Sequence, residues 1–161
     1  MKRLLTIFIL TYTFFLIEFL LFDVFGRWGK PDLLLILIVF FNLYLGIRYG
    51  LLAAIFAGIF KDAFSSEVFG TYIFLFMCCA FFATVMRRNF YRPGSKLSRL
   101  MVTGGVVSVF VFAQGLLYAM NNDVNWTVVF QYVFIPEILI TMLSATFVFS
   151  RLKTLADKIR L

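Results

Sequence analysis

Glu18, Asn42, Lys61, Asp62, Gln114 and Glu137 stand inside stretches that are otherwise strongly apolar. An ionised side chain at the centre of a bilayer costs about 2.5–3.5 kcal/mol on insertion scales, so each such group needs a partner or a water-filled cavity. Lys61 and Asp62 are neighbours in sequence. Adjacent residues on a helix do not face each other, so the two charges are expected to point to different partners. Counting from the segment ends at about 1.5 Å per residue places Glu18, Asp62 and Glu137 in the middle to outer part of a membrane. There they are expected to form one polar layer with Lys61, with Asn42 and Gln114 as further polar side chains at depth. Such a layer can bind helices together or provide a path for a transported solute. The chain has no His, which removes the usual proton shuttle and metal ligand and favours the binding role. There is no Gly-rich phosphate loop and no nucleophile with a His base, so no enzyme and no cofactor are expected. Cys78 and Cys79 are adjacent, with no further Cys to complete a disulfide framework or metal site. They are expected to be two buried thiols acting as small apolar side chains.

The elements that carry these residues follow from composition. Of 161 residues, 63% are hydrophobic and 14% charged, against about 45–50% and about 25% in globular domains. So much apolar surface cannot be hidden in a small water-soluble core. The expected fold is all-α: one polytopic membrane domain over residues 1–161, with helices at 4–25, 32–47, 51–64, 71–86, 100–120 and 127–149. Spanning helices need about 20 residues. Met1-Lys2-Arg3 before an apolar run resembles a signal peptide, but the run is long and no small-residue cleavage site follows. It is expected to remain as the first spanning helix. Residues 26–30 make a break, and Pro31 suits the first turn of the second helix. Gly46 and Gly50 bracket Arg48 in an expected tight turn. Pro136 frees a backbone carbonyl and is expected to kink the last helix beside Glu137.

The net charge of +7 sits in short clusters between the apolar runs, which points to a membrane rather than to nucleic acid. With six spans and a cytoplasmic N-terminus, nearly all cations fall on the inner side: Lys2, Arg3, Arg48, the cluster from Arg87 to Arg99, and the tail. Only Arg27 and Lys30 fall outside. Five spans would put the basic loop and the tail outside, against the positive-inside tendency. Both termini are therefore expected in the cytoplasm. The tail has Leu152, Leu155 and Ile159 on one face, which suits either a helix on an anionic lipid surface or an extension of the last span.

Gly50, Ala54, Gly58 and Asp62 recur every four residues and share one helix face. Small residues at that spacing let two backbones approach closely in lipid. Packing within the chain is favoured over an interface with a partner or a second copy.

The stretch from Pro31 to Gly70 resembles the MreD family of bacterial rod-shape-determining membrane proteins. The resemblance rests on Pro31, on Gly46 and Gly50 as Gly-x-x-x-Gly, on Gly58 four residues before Asp62, and on Gly70 closing the loop. Pro136-Glu137 followed by a basic end is also similar. Lys61 departs from the pattern, standing where an apolar residue is expected beside the Asp. The resemblance implies a non-enzymatic component of the inner-membrane elongation machinery. Its partners would be a single-pass MreC-like protein and, through it, MreB, RodA and a class B penicillin-binding protein. It also implies a fold similar to the S components of energy-coupling-factor transporters, which makes a small-molecule-binding transporter subunit the alternative. S components typically carry Ala-x-x-x-Ala on their first helix, whereas residues 4–25 hold no Ala.

Overall fold

The computed structural model describes residues 2–25, 31–65, 68–90, 95–121 and 135–159. Those residues form six α-helices and no strand: α1 (Lys2–Phe25), α2 (Leu33–Leu45), α3 (Ile47–Phe64), α4 (Thr71–Phe90), α5 (Lys96–Asn121) and α6 (Ile135–Ile159). The segments Leu4–Leu21, Thr71–Phe90 and Leu97–Leu117 are long and apolar enough to cross a membrane, and α2 is a shorter apolar helix. The protein is a helical membrane bundle.

α2 is the axis. Every side chain from Leu33 to Leu43 is buried, as expected of a helix that is apolar on all sides. Its 13 residues span only about 20 Å, less than the ~30 Å of a bilayer core. α1, α3, α4, α5 and α6 pack around it and turn apolar side chains outward, among them Leu20, Phe81, Phe112 and Leu143. A bilayer solvates such surfaces. An aromatic seam joins α1 to α3, with Phe8 edge-on to Phe56 at 5.3 Å and Phe15 stacked on Phe60 at 5.5 Å between ring centroids.

Cross-contacts fix the helix directions. The N–H of Leu34 meets Glu18 late in α1. Tyr44 late in α2 meets Arg99 early in α5, and Tyr72 early in α4 meets Gln114 late in α5. Phe40 packs on Phe149 and the Asp32 N–H on Thr141, so α2 and α6 run the same way. Successive helices therefore alternate in direction. One end of the bundle, the arginine end, carries Arg48, Arg87, Arg88, Arg99 and Arg151; the other, the lysine end, carries Lys61 and its partners.

α2 and α3 are separate helices, as the charge pattern requires, but the turn differs from expectation. It is made by one residue, Gly46, at φ +99°, a left-handed conformation that costs glycine little. Its N–H bonds the carbonyl of Phe41 at 3.1 Å. Residues 47–50 are already helical, with Gly50 N–H on the Gly46 carbonyl at 3.1 Å. Apolar runs also underestimate the helices at their charged ends. α4 continues through Arg87 and Arg88 to Phe90, and α5 begins at Lys96. Cations are favourable in a last helical turn, so the first charge does not end a helix. Residues 127–134 of the last expected segment lie outside the described residues. The tail continues α6 to Ile159, so its backbone extends that helix.

Candidate functional site

Lys61 comes from the last turn of α3 and reaches the N-terminus of α2. Its Nζ lies 2.7 Å from Asp32 Oδ2 and 3.5 Å from Glu18 Oε1. Neither acid serves the lysine alone. Asp32 is the N-cap of α2, its Oδ1 accepting from the Leu35 N–H at 3.1 Å. Glu18 Oε2 accepts from the Leu34 N–H at 3.1 Å. The backbone N–H of Asp32 donates to Thr141 Oγ1 of α6 at 3.3 Å. Three rings close over the ammonium, with Tyr72, Phe76 and Phe110 centroids at 5.3, 5.2 and 5.2 Å. A cation over aromatic faces is stabilised by the ring quadrupole, more so when desolvated. One side chain thus links α1, α2, α3, α4 and α5 through buried groups.

Asp62 points elsewhere. Its Oδ1 accepts from the Tyr72 N–H at 2.9 Å and its Oδ2 from the Ile73 N–H at 3.1 Å. These are orphan donors of the first turn of α4, so the carboxylate caps that helix from a neighbouring one. Gly58, one turn back, lets α4 come close enough. A Cβ there would stand 2.5 Å from Ile73 Cα. Gly50 and Ala54 are buried on the same face, and a Cβ on Gly50 would meet Asn42 Cα at 3.2 Å. The small-residue face is thus filled by α2 and α4 of the same chain. Asp62→Ala is expected to cost about 1–2 kcal/mol, read as a lower melting temperature in detergent, with Asp62→Asn recovering part of the loss.

The polar side chains do not form one layer. Glu18 and Lys61 meet at the lysine end, together with Asp32, which had been read only as the start of a segment. Asp62 turns away from them at similar depth. Asn42 lies near the arginine end, where its Nδ2 donates to the Ala80 carbonyl at 2.6 Å and to Thr84 Oγ1 at 2.9 Å. Its carbonyl receives Arg87 Nη1 at 3.0 Å. Gln114 Nε2 donates to Tyr72 Oη at 3.1 Å, and its Oε1 is buried without a partner. Glu137 opens α6 one turn before Thr141. Counting assumed a common starting depth for all segments, but α2 begins deeper than its neighbours. Pro31 is buried at the mouth of α2, its carbonyl accepting from Leu33 N–H at 3.0 Å. The side chain of Pro136 lies outside the described residues. Gly70 has φ +104° and open space around it, so backbone conformation explains this glycine. Cys79 is buried as expected, but Cys78 is exposed on the bundle surface, since neighbours on a helix face different ways.

Asp32 carried a signal that was missed: an acid directly before an apolar run is a helix N-cap pattern. Thr141, Thr84 and Arg87 carried none, because their partners are distant in sequence.

The arrangement neutralises and hydrogen-bonds its charges internally and leaves the outer faces apolar. A family model described as rod shape-determining protein MreD matches residues 1–158. No curated protein and no solved structure matches the chain, so the likeness to transporter S components stands on the family resemblance alone. With nearly its whole length matched and a lipid-facing helical bundle as its fold, the chain belongs to the MreD family of rod shape-determining membrane proteins.

Proposed function

We propose that the protein is a non-enzymatic scaffold of the elongation machinery in the bacterial inner membrane. It binds an MreC-like single-pass protein and, through it, works with MreB, RodA and a class B penicillin-binding protein in peptidoglycan synthesis. The observation that carries this reading is the internal pairing of Lys61 with Asp32 and Glu18. Charges held this way stiffen a bundle and stand in place of a solute path. The face of Gly50, Ala54 and Gly58 is occupied by the chain's own helices, so a partner helix would meet the outer faces of α1, α4, α5 or α6. The gathering of Arg48, Arg87, Arg88, Arg99 and Arg151 at one end favours cytoplasmic termini.

Affinity capture of the tagged chain from native membranes tests the proposal. An MreC-like protein should be recovered in near-stoichiometric amount; its absence under conditions that keep the chain folded would overturn the reading. The alternative, a small-molecule-binding transporter subunit, has the unpartnered Gln114 Oε1 in its favour. A thermal-shift screen of vitamins and metabolites separates the two, because a specific ligand raises apparent stability.

A further inference from the structure

We propose that the tip of the α3–α4 hairpin is a lipid-contact surface sunk inside the bilayer, where it binds the acyl chains of a locally thinned leaflet. This rests on the membrane character of the bundle and is independent of the scaffold reading.

Four large apolar side chains crowd this one turn and are mostly open: Phe64 at 68%, Val68 at 78%, Phe69 at 67% and Phe74 at 69% exposure. Gly70 between them has nothing within 4 Å of its Cβ position. A turn that reaches water is built from polar and turn-forming residues, and clustered apolar surface there is disfavoured. Residues 65–70 hold a single charged residue, Glu67.

Depth explains the composition. Gly50 packs on Asn42, whose carbonyl is held by Arg87, and this level marks the charged arginine end. From there α3 rises only about 21 Å to Phe64, and α4 spans about 24 Å from Arg87 to Thr71, at 1.5 Å per residue. The hydrocarbon core is about 30 Å thick. The flanking helices continue past the tip. Phe19 of α1 meets Phe64, and α1 then runs roughly 9 Å further to Phe25. Gln114 of α5 meets Tyr72, and α5 runs roughly 10 Å further to Asn121. The neighbours match a bilayer while the hairpin stops short. A short hydrophobic element is accommodated by local thinning of the bilayer, and acyl chains solvate the four side chains at the tip.

The test uses the full chain in vesicles, with Trp28→Phe and Trp126→Phe to remove native emission and Val68→Trp as the probe. Phosphatidylcholine brominated on its acyl chains should quench this probe by at least about half, and aqueous acrylamide should barely touch it. Strong acrylamide quenching would place the tip in water and overturn the proposal. Quenching by neither agent would place it against protein, a second copy included, and would overturn it equally. Phe69→Trp supplies a second probe if Val68→Trp does not fold. In vesicles of graded acyl length the wild-type chain should melt highest in lipids shorter than 18 carbons; a maximum at 18 or longer would contradict a sunken tip.

Discussion

Replacing Gly58 by alanine is expected to remove most of the folded protein from detergent extracts. A single methyl group there would stand 2.5 Å from Ile73 Cα and 2.8 Å from Ile73 N. These are backbone atoms, so no rotamer change relieves the clash, and α4 must move as a body. That movement carries the Tyr72 and Ile73 N–H groups away from Asp62, so the overpacking penalty and the loss of a helix cap arrive together. Overpacking alone costs about 1–3 kcal/mol and a lost cap about 1 kcal/mol. Their sum is a large share of the stability of a small bundle. Size-exclusion profiles of a fluorescent fusion would measure the effect. Gly105→Ala is the control: a Cβ there meets only the flexible end of Met86 at 3.0 Å, so its profile should stay near wild type. A Gly58→Ala chain as monodisperse and heat-stable as wild type would show that α3 and α4 do not pack this closely.

The Lys61→Met variant should be nearly as damaging, for an electrostatic reason. It keeps the length and apolar stem of the side chain but leaves Asp32 and Glu18 facing each other without the ammonium. Removing one member of a buried charge group costs about 3–5 kcal/mol, because the remaining charge has lost both water and its partner. The neutral triple variant Glu18→Gln, Asp32→Asn, Lys61→Met should recover most of that loss. Asparagine is as good an N-cap as aspartate, and the glutamine carbonyl can still accept from the Leu34 N–H. Melting temperatures of the wild type, single and triple variants in one detergent would decide it. If the triple variant melts no higher than Lys61→Met, the pairing of these charges is not what holds the lysine end together.

The two variants mark where sequence and structure part. The membrane bundle was legible because it depends on local quantities. Apolar runs near the length of a bilayer crossing, punctuated by Pro31, Gly46 and Gly70, fix how many helices form and roughly where. Charge at their ends fixes how they thread. The separation of α2 from α3 and the divergence of Lys61 from Asp62 were readable for the same reason, since each follows from the residue itself or from the 100° between neighbours.

What sequence could not provide was depth and distance between segments. The expectation of one polar layer failed because nothing local says that α2 starts deep in the bundle. Hence Asp32 was read as the start of a helix when it is also the nearest partner of Lys61, and Asn42 was grouped with acids from the other end. The four-residue period of Gly50, Ala54 and Gly58 announced a close approach without saying by which helix. The sequence by itself determined that this chain is a lipid-embedded helical bundle with buried charges to satisfy, because hydropathy and periodicity are properties of single segments. Only the tertiary structure decided which charge meets which and which small face is already filled, because those pairings depend on how far each helix slides along its neighbours.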